Sequence, residues 1–170
     1  NFRNGKKNRS LKFDERTNRL YVGAQGEFGY FEGNWNYVSL LEAVPAPYTE
    51  FDEVWDVFLI GNRVYFCTFQ GIYAYNGKEI TVINHEDGLK RCFTANGKLF
   101  VQTQQAALFE VKNGRLSPVR GFEALNGVLS GMIPYSQGYI LFYNSGQIEY
   151  RTPIGTEQPY PTLQRALKGT

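Results

Sequence analysis

The chain has 170 residues, of which 42% are hydrophobic and 20% charged, and 18 Lys and Arg against 16 Asp and Glu leave a formal net charge of +2. This size and apolar content suffice for one domain with a continuous core and exclude a disordered chain. The cations are too few for the dense basic stripe of a nucleic-acid-binding module, and no run of 18 apolar residues is present to span a membrane.

Aromatic residues are the most informative part of the composition. Twelve Tyr, 13 Phe and two Trp make up 16% of the chain, which also contains 18 Gly. Aromatic side chains fit a pleated, half-buried surface and Gly marks turns, so the composition predicts an all-β fold. The two cysteines, Cys67 and Cys92, lie among apolar residues without metal-ligand spacing. We expect both to be buried free thiols.

Four internal repeats organise the chain. Each repeat has the same order of apolar runs and turn residues, and equivalent positions are 44, 35 and 40 residues apart. This spacing is typical of the four-stranded blades of a β-propeller. The equivalent positions are Leu20, Val64, Leu99 and Tyr139.

The pattern inside a repeat predicts four strands. First strands are expected at 11–13, 54–58, 92–93 and 128–133, each followed by a tight turn, at 17–18, 61–62, 96–97 and 136–138. The second strand is apolar on successive residues, which is typical of a strand covered on both faces. The third strand, such as 72–75, alternates better, and the fourth is shorter and more polar, as an outer edge is.

The predicted fold is an all-β propeller of about four blades, each with four antiparallel strands, at approximately 10–45, 51–88, 89–125 and 127–170. The fourth repeat loses its pattern after Tyr150, and the first strand has no outer strand before it to latch a ring. We therefore expect a single partial domain of a larger propeller of the seven-bladed type. Turn signals alone leave a β-sandwich or an irregular barrel open. One short helix is expected at 162–168.

Residues 20–31, Leu-Tyr-Val-Gly-Ala-Gln-Gly-Glu-Phe-Gly-Tyr-Phe, and 71–77, Gly-Ile-Tyr-Ala-Tyr-Asn-Gly, carry a resemblance. They resemble the sensor propellers of bacterial two-component regulators, found ahead of a three-tyrosine domain in hybrid histidine kinases and LuxR-type regulators. The likeness covers roughly residues 10–150. It implies a periplasmic input module that binds a ligand or partner and passes a signal to an output domain, with a homodimer formed through the parent protein.

Candidate catalytic residues are few. The single histidine, His85, lies in a polar turn between two repeats, so we interpret it as a loop residue and expect no metal site. The acids Glu50, Asp52, Glu53 and Asp56 are interpreted as a solvated connection. We expect a non-catalytic module without a cofactor. A glycan-binding or glycan-cleaving propeller that uses these acids, and a dimerisation scaffold, are the alternatives.

The better functional signal is the position of amides within the repeat. Loops that join the second strand to the third each offer an amide, and amides with neighbouring aromatic rings suit a small molecule, an oligosaccharide or a protein surface. The alternative is that these amides only satisfy turn backbone. The candidate rim residues are Gln25, Phe69, Gln70, Gln104, Gln105 and Asn144, joined by Tyr48 and His85 from connections between blades.

Overall fold

The structure is a computed structural model that describes residues 7–157. These residues form four antiparallel sheets of four strands each, in chain order. Sheet 1 contains β1 (Asn8–Asp14), β2 (Arg19–Ala24), β3 (Glu27–Glu32) and β4 (Asn36–Ser39), and sheet 2 contains β5 (Asp56–Ile60), β6 (Arg63–Cys67), β7 (Ile72–Tyr75) and β8 (Ile80–Ile83). Sheet 3 contains β9 (Leu89–Ala95), β10 (Lys98–Thr103), β11 (Leu108–Lys112) and β12 (Arg115–Pro118), and sheet 4 contains β13 (Leu129–Tyr135), β14 (Gly138–Tyr143), β15 (Ile148–Thr152) and β16 (Gly155–Glu157).

The all-β repeat of four strands is confirmed, and so is the position of its turns. Asn18, Asn96 and Ser136 adopt positive φ angles of 52, 50 and 48° in the turns between first and second strands. These angles give tight hairpins between twisted strands. A single 3-10 turn at Leu41–Ala43 is the helical structure within the described residues. The helix predicted at 162–168 lies outside them.

The fourth sheet corrects the prediction that the pattern fails after Tyr150. Strand β15 continues to Thr152, and β16 returns along it from Gly155. Thr152 builds the turn, because its Oγ1 donates to Gly155 O at 3.1 Å and accepts from the Ile154 N–H at 3.3 Å. The short β16 carries no apolar run, which is why the sequence pattern misses it.

The strands of a sheet differ in burial, and one of them, β7, departs from the prediction. The second strands hold fully buried residues, including Val22, Phe66 and Val101, as predicted. The outer strands β4 and β12 hold none. The alternation predicted for 72–75 is wrong, because all four residues of β7 are buried. Rings from sheet 1 and its following connection cover one side of this strand, with Phe28 at 5.1 Å and Phe51 at 5.1 Å from Tyr73.

Packing divides the chain into two compact units. Unit 1 holds sheets 1 and 2 up to Leu89 together with residues 113–115, and unit 2 holds residues 90–112 and those from Leu116 onward. The core of unit 1 is centred on aromatic rings, with Phe28 and Phe66 4.5 Å apart. The core of unit 2 contains fewer aromatic rings and includes the aliphatic residues Leu108, Leu129 and Leu141. Cys67 and Cys92 are both buried and form no disulfide with each other, as predicted.

Candidate functional site

All six loop residues of the predicted rim lie between a second and a third strand. Each of these side chains is exposed, and the ring of Phe69 keeps 40% of its surface accessible. A role in binding remains a prediction. Gln25 lies in the β2–β3 loop, Phe69 and Gln70 in the β6–β7 loop, Gln104 and Gln105 in the β10–β11 loop, and Asn144 in the β14–β15 loop.

In unit 1, the connection between sheets 1 and 2 runs beside the β2–β3 loop. We call residues 40–55 the first connection. The Gly26 N–H donates to Asp52 O at 2.7 Å and the Val54 N–H donates to Ala24 O at 3.0 Å. Gln25 and Glu53 form an isolated antiparallel bridge between these contacts. The first connection is therefore held against the loop by backbone hydrogen bonds.

Two side-chain contacts add charge to this region. The Gln70 Nε2 donates to Asp52 Oδ2 at 3.3 Å, and Arg9 Nε lies 2.7 Å from Glu53 Oε2. The Arg9–Glu53 pair is solvent-accessible, so its contribution to stability is small. The result is a polar surface with amides and both signs of charge. We call it the unit 1 rim, and it consists of Arg9, Gln25, Asp52, Glu53, Phe69 and Gln70.

An aromatic pair lies at the edge of the unit 1 rim. The rings of Trp55 and Phe69 are 5.8 Å apart and tilted by 36°. Backbone contacts fix both residues: the Trp55 N–H donates to Cys67 O at 3.0 Å, and Phe69 O accepts from the Leu89 N–H at 2.9 Å. The indole Nε1 of Trp55 is buried and has no hydrogen-bond partner within residues 7–157. Phe69 thus presents an exposed ring that is backed by a second ring.

Tyr48 and His85 occupy connections, as the repeat pattern predicts. The Tyr73 hydroxyl donates to Tyr48 O at 2.8 Å, and burial raises the pKa of Tyr73 to about 12, so this donor stays protonated at neutral pH. The Tyr48 ring keeps 38% of its surface accessible. The His85 Nδ1 accepts from the Asp87 N–H at 3.2 Å and lies 3.4 Å from the Asp87 carboxylate. The imidazole is therefore engaged within its own turn.

In unit 2, backbone hydrogen bonds again join the loops to a connection. We call residues 119–128, between β12 and β13, the second connection. The Leu125 N–H donates to Ala106 O at 2.8 Å, next to the loop that carries Gln104 and Gln105. The Asn144 N–H donates to Val128 O at 2.8 Å. In both units, loops between a second and a third strand are thus hydrogen-bonded to the connection next to their sheet.

A buried polar cluster in unit 2 is absent from the predictions. Glu149 and Arg151 are 3% and 5% exposed and form an ion pair through Arg151 Nε and Glu149 Oε1. The other carboxylate oxygen accepts from Asn126 Nδ2 at 2.9 Å and from the Tyr143 hydroxyl at 2.8 Å. Arg151 also donates to Ala124 O at 2.7 Å. These bonds attach the second connection to β15.

The signal for this cluster lies in the repeat alignment. Strand pairing makes Glu149 and Arg151 equivalent to Tyr73 and Tyr75, because each pair lies opposite the same positions of its second strand. Glu149 and Arg151 are charged at positions where the equivalent strand has aromatic residues. Such a pattern indicates a buried ion pair, because a buried charge must be neutralised by a partner. The repeat pattern predicts Glu149 as a strand residue and ends at Tyr150, before Arg151.

The chemistry available at the unit 1 rim is hydrogen bonding and ring stacking. The carboxylates of Asp52 and Glu53 are already paired with Gln70 and Arg9. Within residues 7–157, no three His, Cys, Asp or Glu side chains converge to hold a metal ion. Over the same residues, the structure contains no helix with the length and apolar character needed to cross a membrane.

Comparison with known proteins identifies the fold. No protein-family model matches the chain, and no curated protein matches it significantly. The chain is similar to the WD40 domain of Neurospora crassa Pan2, at 18% identity and a TM-score of 0.62, over 93% of this chain and 50% of that one. The WD40 β-propeller of Doa1 matches at 10% identity and a TM-score of 0.62, over 89% and 52%.

A third solved structure is that of BBS1N in complex with ARL6DN. It matches at 15% identity and a TM-score of 0.60, over 84% of this chain and 49% of that one. The chain thus spans about half the length of these structures. At such identities the similarity establishes the fold alone, which is that of β-propeller blades.

Proposed function

We propose that this chain is a non-catalytic binding module that recognises a ligand or a protein partner through the unit 1 rim. The β-propeller fold supports a role as a binding scaffold, and one solved neighbour is a complex with a second protein. The observation that carries the proposal is the convergence of the β2–β3 loop, the first connection and the β6–β7 loop on one polar surface. An exposed aromatic ring, Phe69, lies beside it.

The composition of the rim favours a polar ligand without a large net charge. Gln25 and Gln70 each offer a donor and an acceptor, and the Arg9–Glu53 pair balances its own charge. Phe69 offers an apolar face for stacking. Such a set orients a ligand by hydrogen bonds while the ring supplies contact area.

The finer role is that of the sensory input of a bacterial signal-transduction regulator, exported to the periplasm. The resemblance of residues 20–31 and 71–77 to two-component sensor propellers supports this assignment. Reading the complete gene that encodes the chain, and identifying the domains that follow it, tests this assignment. A downstream histidine kinase or DNA-binding domain supports the assignment, and a downstream hydrolase domain contradicts it.

Calorimetric titration with a panel of neutral oligosaccharides and short uncharged peptides tests the binding role. We expect at least one probe to bind, and Phe69→Ala and Gln70→Ala each to weaken its affinity about tenfold, the loss that corresponds to one good contact. Asn34→Ala is the matched control, because Asn34 is an exposed amide in the β3–β4 turn, at the other end of sheet 1. Equal affinity in all three variants would show that the rim is not the site.

Activity assays separate the binding role from an enzymatic one. The chain is incubated with the same oligosaccharides, and the products are analysed by mass spectrometry. We expect no cleavage. Turnover that disappears in Glu53→Ala or His85→Ala would replace the binding proposal with a glycan-cleaving function.

A further inference from the structure

The backbone of the unit 1 rim is hydrogen-bonded inside the chain. The Thr68 N–H donates to Gly71 O and the Leu89 N–H donates to Phe69 O, each at 2.9 Å. The β2–β3 loop and the first connection are joined by backbone hydrogen bonds in the same way. These groups are therefore engaged and do not form the ladder that an added strand requires. Recognition at this surface depends on side chains.

The β6–β7 loop holds its tip in a fixed position. Thr68 is fully buried, and its Oγ1 donates to Gly71 O at 2.9 Å and accepts from the Gly71 N–H at 3.0 Å. The two residues between them, Phe69 and Gln70, form the exposed tip. A ligand meets both side chains on a loop that is already ordered, so binding costs little loop entropy.

A β-bulge directs Arg9 onto the unit 1 rim. The register of β1 against β2 shifts between Asn8 and Ser10, which leaves Arg9 as the extra residue. Bulges re-aim side chains and are frequent beside functional sites. In the equivalent bulge of sheet 4, Ser130 hydrogen-bonds within its own sheet. Arg9 instead reaches Glu53 of the first connection and remains 52% exposed.

The hydrogen-bonding groups of the rim favour a ligand that brings acceptors. The Asp52 and Glu53 carboxylates are each paired with a side chain of the rim itself. Arg9 has no acceptor and carries donors on Nη1 and Nη2 in addition to the Nε that lies next to Glu53. Gln25 adds an exposed amide. The donors thus lie beside carboxylates that are already engaged.

Phe69 supplies an apolar surface next to these donors. Its ring is 40% exposed, and the Trp55 ring lies 5.8 Å from it with a tilt of 36°. Grooves lined by aromatic rings recognise proline-rich segments in several families of binding modules, because pyrrolidine rings pack on such rings. The rim therefore combines a ring surface with side-chain donors.

We propose that the unit 1 rim binds a proline-rich, extended segment of a partner protein. This inference rests on the proposed binding role of the rim and specifies its ligand. A polyproline II segment has no internal hydrogen bonds, so its carbonyl groups are acceptors, and proline has no N–H that the rim must satisfy. The carbonyl groups accept from Arg9 and Gln25, and the pyrrolidine rings pack on Phe69.

Conformational entropy separates this ligand from a flexible peptide. A polyproline II segment is extended before it binds, and the β6–β7 loop is ordered, so neither partner loses much freedom. A flexible uncharged peptide has similar carbonyl groups, but it loses more backbone entropy and brings N–H donors. The rim is therefore expected to discriminate between the two.

Calorimetric titration of the full chain with two capped, uncharged probes tests the proposal. The probes are octaproline and a Gly-Ser repeat of the same length. We expect octaproline to bind at least roughly tenfold more tightly than the Gly-Ser peptide. Arg9→Ala and Phe69→Ala are each expected to weaken octaproline binding about tenfold, because one removes donors and the other the ring surface.

Lys12→Ala and Trp35→Ala are the matched controls and are expected to bind octaproline like the wild type. Lys12 is an exposed cation on β1 outside the rim. Trp35 is a 74% exposed ring in the β3–β4 turn, at the other end of sheet 1. All four side chains are exposed, so the fold tolerates their loss, and circular dichroism checks this.

The outcomes separate this proposal from the broader binding role. Equal affinity for the two peptides would overturn the proline-rich ligand. So would an oligosaccharide that binds and is weakened by Phe69→Ala while octaproline does not bind, and the rim would then keep its binding role. Octaproline binding that is unchanged in Arg9→Ala and Phe69→Ala would overturn both, because the contact would lie elsewhere.

Discussion

The first and second connections perform the same task with different chemistry. Each leads from the outer strand of one sheet to the inner strand of the next and leaves carbonyl groups to be satisfied. In the first connection, the Tyr73 hydroxyl donates to Tyr48 O at 2.8 Å. In the second, Arg151 donates to Ala124 O at 2.7 Å. Both donors lie on the third strand of the following sheet, Arg151 two positions beyond the residue equivalent to Tyr73, so the strand is kept while a neutral donor is exchanged for a charged one.

One pair of equivalent positions on the second strands also differs in chemistry between the two units. Gly23 and Gln102 are equivalent, because each lies three residues after the aligned Leu20 or Leu99, and they pair with Phe28 and Leu108 of the third strands. A Cβ at Gly23 would lie 2.4 Å from Val54 Cγ1, so glycine makes room for the first connection. Gln102 instead fills the space, donating to Gly127 O at 2.7 Å and accepting from the Leu129 N–H at 3.0 Å. Close packing around Gly23 in unit 1 thus corresponds to side-chain hydrogen bonds from Gln102 in unit 2.

This difference makes unit 2 the more sensitive to single substitutions. Backbone hydrogen bonds and aromatic packing in unit 1 survive the loss of one side chain. A buried ion pair does not, because removal of one member leaves the other charged and desolvated. The following substitutions test the contrast.

The largest effect is expected for Arg151→Ala. It leaves Glu149 buried without its cation, which costs about 3–5 kcal/mol in the free energy of unfolding. Urea denaturation measures the loss, and hydrogen exchange is expected to place it in residues 119–128. The double variant Glu149→Leu, Arg151→Met is the control and is expected to recover most of the stability, since apolar replacements of buried ion pairs are tolerated. A full loss in the double variant would contradict the ionic explanation.

Gln102→Ala is expected to follow. It leaves the buried Leu129 N–H and the part-buried Gly127 O without their side-chain partner, and the unsatisfied buried N–H costs about 1–3 kcal/mol. Gln105→Ala, three residues further along and exposed, serves as the control, with an expected change within about 0.5 kcal/mol. Similar urea midpoints for the two variants would show that Gln102 does not hold the second connection.

Gly23→Ala tests the space in the first connection. The added methyl group would meet Val54 Cγ1 and Ser10 Oγ, each at 2.4 Å, and overpacking of this kind costs about 1–3 kcal/mol. Gly131→Ala is the matched control, because a Cβ there meets no atom within 4 Å. Thermal unfolding of both variants gives the comparison, and equal Tm values would remove the steric role assigned to Gly23.

Tyr73→Phe is expected to cost about 1 kcal/mol at neutral pH through the lost hydrogen bond to Tyr48. Burial raises the pKa of Tyr73 from 10.0 to about 12. A pKa that is higher in the folded state gives stability that is complete below pH 10 and lost as the pH rises toward 12. Urea titrations from pH 9 to 12 are expected to show a smaller alkaline loss in the variant than in the wild type.

The smallest change is expected for Trp55→Phe. The indole N–H is buried and unpartnered within the described residues, so its removal costs no hydrogen bond, while the ring contact with Phe69 is kept. We expect a change in unfolding free energy within about 0.5 kcal/mol. A loss of more than 2 kcal/mol by urea denaturation would show that the indole N–H has a role in the first connection.

The repeat, its strands and its turns were predictable because they depend on neighbours in sequence. Asn-Gly pairs and apolar runs fix hairpins over fewer than ten residues, and Asn18 and Asn96 adopt the expected left-handed backbone. The loop positions of Gln25, Gln70 and Gln104 follow from the same repeat. Strand β16 was missed, because three residues without an apolar run give no pattern.

The partners of the polar side chains were decided by the tertiary structure alone. Asn126 meets Glu149 across 23 residues and Arg151 meets Ala124 across 27, and no local rule brings these segments together. The contact of Gln70 with Asp52 and the burial of both faces of β7 have the same origin. Sequence determines where the chain turns and which runs are apolar, whereas the burial of a charge depends on which connection folds back over its strand.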